Sequence, residues 1–338
     1  MTDYFRPLVQ IGPARPDTAV SLAGGWGWFT HAEVLSRSTP PRVVPAADIP
    51  ASVMARLTAP RPAMAGLTLD RPRIMGILNT TPDSFSDGGQ HNAVPDALRV
   101  AQEMVTAGAD ILDIGGESTR PGADFVPVSE EITRTAPVIA ALRGAGLHTP
   151  ISIDTRKAAV AEAAVSAGAN LVNDVSGFTF DPALGPLCQK LALPVCVMHA
   201  QGDPATMHLD PQYDNVLLDV FDALERQISM LEASGIPRGA ILADPGIGFG
   251  KTQDHNLALL ARLSLFHALG TPILLGVSRK RFIGTIGNAP QAQDRAPGSI
   301  AVALAGLGQG VQMIRVHDVD DTRQAVALWH AAYFGSIL

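Results

Sequence analysis

The sequence is short of several things at once. Aromatic residues are 5% of the 338, and cysteine occurs only twice, at Cys188 and Cys196, with no CxxC spacing. Two cysteines in or near apolar runs speak for a reduced, cytoplasmic setting and against a disulfide framework. No apolar run is long enough for the bilayer: Ile300 to Ile314 is interrupted by Gln309, Gln312 and several glycines, so no membrane association is expected. The start, MTDYFRPLVQIG, lacks a cationic run followed by an apolar block, so it does not read as a signal peptide. Positive charge is also in deficit, with 25 Lys and Arg against 32 Asp and Glu, a net −7. That argues against general nucleic-acid binding. It does not argue against an anionic small molecule, because the groups lining a cleft set its local field.

What is present is a large apolar fraction, 46%, enough for a big core. From about Arg71 a rhythm sets in. Short aliphatic, β-branched runs appear at Ile74–Leu78, Ile111–Ile114, Ile151–Ile153, Leu171–Val172, Val195–Met198, Ile241–Leu242, Ile273–Val277 and Val311–Val316. Helix-like stretches separate most of them. One opens at Pro95-Asp96, with Leu98, Ala101 and Val105 on one face. Ser129 is placed to cap the next, although Pro137 inside it opposes helix. The fragments AGADILD (107–113) and AGANLVN (167–173) repeat a helix end, a glycine cap and a strand. Alternating strands and helices, with strands apolar on both faces, imply parallel pairing. Residues 71–338 number 268, close to the roughly 250 of a (β/α)8 barrel. An open doubly wound sheet is the competing architecture. The polar residues that end nearly every run favour the barrel, which gathers strand C-termini at one mouth. Residues 1–70 break the rhythm and form an N-terminal extension of unknown role, with a barrel-floor hairpin expected near 65–74. Its GGWGWF run, which holds Trp26 and Trp28, reads as a packing patch in preference to a ligand lid.

Several polar groups carry chemistry in this frame. GIGFGKT (246–252) resembles a phosphate-binding Walker loop but is one residue short and preceded by Pro245, so it reads as a glycine-rich βα loop under a flat ligand. Asp154, Asn173 and Asp244 each follow a different strand. Singly they are turn formers; together they suit a planar heterocycle with N–H donors and ring acceptors. Arg315 and His317 alternate on one strand face, as a phosphate clamp near the last strands would. The bland reading makes them surface residues paired with Asp318. Asn79 ends the first strand, within reach of a phosphate or its Mg²⁺. His199 and His208 lack a convincing third zinc ligand, so they read as core or loop residues, His199 as a group lining the site. The loops TTPDSFSDGG (80–89) and GGESTRPG (115–122) mix Asp83, Ser84, Phe85, Asp87 and Arg120, which suits lids that exclude water.

With IMGILNTTPDSFSDGG, DIGGESTRPG, ISIDT, NDVSG, DPGIGFGKT, GVSRKRF and IRVHD in this order, the chain from about Arg71 resembles the dihydropteroate synthase family. The resemblance implies a (β/α)8 TIM barrel, usually a homodimer, that joins 6-hydroxymethyl-7,8-dihydropterin diphosphate to p-aminobenzoate and releases pyrophosphate in folate synthesis. It implies Asp154, Asn173, Asp244 and Lys280 on the pterin, with Met198 and Phe249 beside the ring. It puts Asn79, Thr119, Arg315 and His317 on the diphosphate, with Mg²⁺ as cofactor and Asn79 near it. It puts Ser278, Phe85, Thr119, Arg120, Pro121 and Arg279 around the aminobenzoate, and makes sulfonamides competitors there. Asp154, Lys280, Arg315 and His317 are the implied catalytic group. Many members carry serine after that lysine; Arg281 stands here, leaving a backbone N–H available. A corrinoid-dependent pterin methyltransferase would need no diphosphate clamp, and a catalytically dead paralogue should show eroded loops. The intact loop motifs and the RVH run oppose both.

Overall fold

The strands of the alternating unit are buried on both faces, as parallel strands covered by helices must be. The computed structural model describes residues 3–81, 93–118, 125–202, 207 and 209–337. The N-terminal part comprises β1 (Tyr4–Pro7), β2 (Val20–Ser21), β3 (Trp28–Phe29), β4 (His31–Leu35), β5 (Arg42–Pro45) and α1 (Ala51–Thr58). The alternating unit follows: β6 (Arg73–Asn79), α2 (Ala93–Thr106), β7 (Ile111–Gly115), α3 (Val128–Gly144), β8 (Ile151–Asp154), α4 (Ala158–Ala167), β9 (Leu171–Asp174), α5 (Leu184–Lys190), β10 (Val195–Met198) and α6 (Val216–Ala233). It continues with β11 (Ile241–Asp244), α7 (Gln253–Leu260), a 3₁₀ segment (Leu263–Leu269), β12 (Leu274–Gly276), α8 (Arg281–Ile286), α9 (Ala296–Gly308), β13 (Met313–Val316) and α10 (Val319–Phe334).

Among the described residues, β6 to β13 form one parallel eight-stranded sheet in the order β11-β10-β9-β8-β7-β6-β13-β12. A parallel bridge between Ala243 and Ile273 joins the two ends, so the sheet is a closed barrel and the open doubly wound alternative is excluded. Period-two alternation then divides each strand. Met75, Ile111, Leu171, Cys196, Leu242, Leu274 and Met313 pack into one inner layer with Met64 and Leu69 below it. Outward residues such as Ile74, Leu112, Ile151, Val172 and Val197 pack against the helices.

The floor is closed by residues 64–69, but not by a hairpin through 74. Met64 and Leu67 bridge each other in a tight loop, while Arg73 and Ile74 pair in parallel with Met313 and Ile314. The apolar side chains here satisfy the barrel layer, and the backbone of 73–74 is claimed by the longer sheet. The αβ joins behave as the repeat implies: Gly108 and Gly168 take φ +100° and +120°, and their carbonyls accept from Arg323 and Arg143. Ser129 does not cap α3. The helix starts at Val128 after Pro127, with no side-chain cap, and Pro137 lies within it.

The extension is a packed appendage on the barrel's flank and floor. β1, β4 and β5 form an antiparallel sheet whose core (Phe5, Leu22, Phe29, Val34, Leu57) includes Ala268 of the 3₁₀ segment. Tyr4 Oη donates to Asp222 of α6 at 2.9 Å, Arg61 donates to the His267 carbonyl at 3.1 Å, and Trp26 Nε1 donates to the Leu307 carbonyl at 2.9 Å. Leu307 lies near the end of α9, before β13, so Trp26 faces the floor side and not the mouth. Trp28 is likewise buried, its Nε1 on the Gly12 carbonyl. The tryptophans are a packing patch. Trp26→Ala is expected to cost about 3–5 kcal/mol, since it removes a buried ring and strands a carbonyl. Urea denaturation checks this; a loss under about 1 kcal/mol contradicts it.

Candidate active site

The barrel's inner face sets the site by simple counting. Two residues beyond the apolar layer, at the same strand period, stand Asp113 on β7, Asn173 on β9, Met198 on β10, Asp244 on β11 and Arg315 on β13. Register aligns Asp154 with Asn173 on one side and with Gly115 and then Asn79 on the other. A hydrophobic plug therefore carries a polar ring at the C-terminal mouth.

The ring is tied together electrostatically. Arg315 Nε donates to Asp113 Oδ2 at 2.5 Å and its Nη2 donates to Asp154 Oδ2 at 2.7 Å, while Asn173 Nδ2 donates to Asp113 Oδ2 at 3.0 Å. Burial pushes the Asp154 carboxyl up to about 7; Arg315 opposes this and Asp113 adds to it. The two carboxylates in turn hold the Arg315 proton more tightly than usual, against the opposing effect of burial. Asp244 is also raised by burial, opposed by the Gly246 N–H and by Lys280. Asp113 Oδ1 and Ser152 Oγ are buried with no hydrogen-bond partner among the described residues.

The exit of β12 aims three cations differently. Ser278 Oγ accepts from the His317 N–H at 3.1 Å and lies 2.9 Å from His317 Nδ1. Arg279 takes φ +59°, a strained left-handed conformation for a non-glycine residue, held because its N–H donates to Ser299 Oγ at 2.8 Å and its carbonyl accepts from Arg295. Its guanidinium pairs with Asp318. Lys280 Nζ lies 4.1 Å from the centroid of the Phe249 ring, a cation–π contact. Arg281 is the exposed first residue of α8. The glycine-rich turn passes close to the neighbouring strand end. Gly246 has φ +66°, and a Cβ there would fall 1.9 Å from the His199 carbonyl oxygen. Lys251 is not a phosphate lysine at all: its Nζ donates inward to the carbonyls of Gly246 and Phe249, both at 2.9 Å.

Asp154, Asn173, Met198, Asp244, Phe249, Ser278, Arg279, Lys280, Arg315, His317 and Asn79 thus lie on strand ends and loops of one barrel mouth. Arg315 is not the surface residue of the bland reading: it pairs with the two inner carboxylates, while Asp318 pairs with Arg279. Asp83, Ser84, Phe85, Asp87, Thr119, Arg120, Pro121 and His208 lie outside the described residues. Sequence reasoning missed Asp113, although a carboxylate two residues beyond Ile111 in an apolar strand was a visible signal. It also missed the base of the second loop. There Lys157 Nζ donates to Glu131 Oε2 and the Val126 carbonyl, both at 2.6 Å, and pairs with Glu117 at 3.1 Å, while Glu117 accepts from the Val126 N–H. Burial opposes ionisation of Glu117, but Arg156, the Val126 N–H and Lys157 outweigh it and lower its pKa.

Residues 75–317 match the family model described as pterin binding enzyme. A dihydropteroate synthase of Escherichia coli K12 is 45% identical over 255 residues, covering 75% of this chain and 89% of that protein. The solved structure of Xanthomonas albilineans dihydropteroate synthase with 4-aminobenzoic acid superposes with a TM-score of 0.75 at 45% identity, covering 79% of this chain and 96% of that one. Yersinia pestis dihydropteroate synthase in a sulfonamide drug complex gives a TM-score of 0.75 at 46% identity, with 80% and 98% covered.

Proposed function

Because the chain belongs to the dihydropteroate synthases of the pterin-binding enzyme family, we propose that its barrel mouth joins 6-hydroxymethyl-7,8-dihydropterin diphosphate to p-aminobenzoate. The observation that carries the residue assignment is the cluster of Asp154, Asn173, Asp244 and Lys280 next to Arg315, His317 and Ser278. The carboxylates and the amide match an aminopyrimidine edge, which offers N–H donors and ring acceptors. Lys280 supplies a cation at the ring, with Phe249 and Met198 as apolar walls. Arg315 and His317 take the diphosphate, and Ser278 with the first N–H groups after it takes the aminobenzoate carboxylate. Arg279, held by Asp318, shapes that pocket.

In the reaction the methylene C–O bond breaks and its electron pair leaves with pyrophosphate. The aminobenzoate nitrogen pair forms the new C–N bond, and that nitrogen then sheds a proton. Arg315 and His317 stabilise the leaving charge. The ionised Asp154 carboxylate stabilises positive charge that spreads from the methylene into the ring. The aryl amine is neutral at pH 7, so orientation, not a strong base, is what the protein supplies.

We include Mg²⁺ in this reading. Among the described residues no three His, Cys, Asp or Glu side chains gather as a metal cage. Asn79, a neutral oxygen donor at the rim, fits a hard cation whose other ligands are substrate phosphates and water. When bound, Mg²⁺ would neutralise diphosphate charge. We also take the protein to work as a cytoplasmic homodimer; among the described residues no helix is long and apolar enough to cross a membrane.

Titration calorimetry tests the two-substrate site. We expect aminobenzoate heat only when pterin or pyrophosphate with Mg²⁺ is present, and competition by sulfonamides. Pterin binding without any aminobenzoate site would favour an inactive pterin-binding protein instead.

A further inference from the structure

One buried charge has no part in the reaction described above. Lys251 is 5% exposed, and its Nζ lies within hydrogen-bond distance of His199 Nδ1 at 3.0 Å and of the carbonyls of His199 at 3.2 Å, Gly246 at 2.9 Å and Phe249 at 2.9 Å, four groups for at most three N–H donors. The three carbonyl oxygens can only accept, so the ammonium form, with three N–H groups, matches this cage better than a neutral amine, which has two. His199 then accepts at Nδ1 and carries its proton on Nε2, in keeping with burial and Lys251 pushing its pKa down to about 3. Burial lowers the Lys251 pKa to about 7, with Asp244 opposing and Lys280 adding to it, so the ammonium form prevails below that pH.

The acceptors belong to two adjacent strand ends. His199 follows β10, and Gly246 to Gly250 form the turn after β11, with positive φ at Gly246, Gly248 and Gly250. Such a turn has no side chains of its own to hold it at these positions. It is held from below by Lys251, and at its edges by the Gly248 N–H donating to Asn256 Oδ1 at 2.7 Å and Tyr213 Oη donating to the Gly250 carbonyl at 2.8 Å. The upper surface of the same turn meets Lys280. The Phe249 ring lies 4.1 Å from Lys280 Nζ, and a Cβ at Gly248 would lie 3.1 Å from Lys280 Cδ.

We propose that Lys251 is a positioning residue: its ammonium ties the 246–250 turn to the end of β10, so that Phe249 and Gly248 hold the Lys280 side chain in its pterin-facing place. This rests on the pterin site proposed above. Lys251 touches neither substrate and acts through Phe249 and Lys280. It is the inverse of a phosphate lysine, a cation spent on shaping backbone.

Steady-state kinetics with both substrates varied test it. Lys251→Met, which keeps the stem and removes the charge, should raise the KM for the pterin diphosphate about tenfold, with the KM for p-aminobenzoate unchanged and kcat within about threefold, the pattern of lost ground-state binding. In a Phe249→Ala background the same substitution should change the pterin KM less than twofold, because the connection is already cut. Equal rises in both KM values, or a full tenfold effect in the Phe249→Ala background, would overturn the proposal. If Lys251→Met does not fold, His199 decides: His199→Leu should raise the pterin KM at least threefold more than His199→Asn, which keeps an acceptor near the Nδ1 position, and equal effects would overturn it. A Lys280→Ala variant with a normal pterin KM would instead refute the pterin site itself.

Discussion

Replacing Arg315 with methionine is expected to cost about 3–5 kcal/mol of stability and to lower kcat about 10²- to 10³-fold. Two independent losses combine. Asp113 is fully buried and Asp154 is 15% exposed at its side chain, and both lean on this one guanidinium. Without it, two carboxylates sit close together in a desolvated ring, and the leaving diphosphate loses a partner. The two losses can be separated. Adding Asp113→Asn removes one carboxylate, so Arg315→Met/Asp113→Asn should regain a large part of the stability while kcat stays low. If stability and turnover recover together, Arg315 serves only the fold.

The pH profile carries a related signature. Ionised Asp154 is the form that stabilises the developing cation, so kcat/KM should fall as pH drops through about 7, where burial has pushed this group. In Arg315→Met the opposing cation is gone, and the acid limb should move to higher pH. The sign for stability is opposite. The folded value lies above the ordinary 3.8, so the folded chain keeps a proton that the unfolded chain has lost, and this group's contribution to stability is lost as pH rises from about 4 through about 7.

Lys280→Ala is expected to raise the pterin KM about 10- to 150-fold, the equivalent of about 1.5–3 kcal/mol for one charged hydrogen bond. The fold should change little, because the residue is half-buried on the loop before α8. A secondary effect runs through Asp244. Lys280 is one of the groups that oppose burial there, so its removal raises the Asp244 pKa further and weakens the ionised acceptor. Steady-state KM values for each substrate, measured separately, check the prediction. An unchanged pterin KM would remove Lys280 from the site.

The barrel was legible because its strands are buried on both faces, and a fully buried strand has to be written as an aliphatic run. The mouth was legible for the same reason: a run that ends in Asp244 or Arg315-Val316-His317 announces where the apolar layer stops. Asp113 was harder to see, since a lone carboxylate inside ILDIG looks like an interruption until the inward period is counted from Ile111. The partners of Arg279 and Lys251 were not legible. Asp318 lies 39 residues from Arg279 along the chain, and His199 lies 52 from Lys251. No local pattern links them; only closure of the barrel does. The extension failed differently, because its strands are two to five residues long and separated by Pro- and Gly-rich turns, too short for any period to emerge.

One measurement bears most directly on the whole account. Purified protein, supplied with 6-hydroxymethyl-7,8-dihydropterin diphosphate, p-aminobenzoate and Mg²⁺, should form 7,8-dihydropteroate and pyrophosphate in equal amounts, with neither appearing in Arg315→Met above a few per cent of the parent rate. Saturable pterin binding with no pyrophosphate and no pteroate would contradict it.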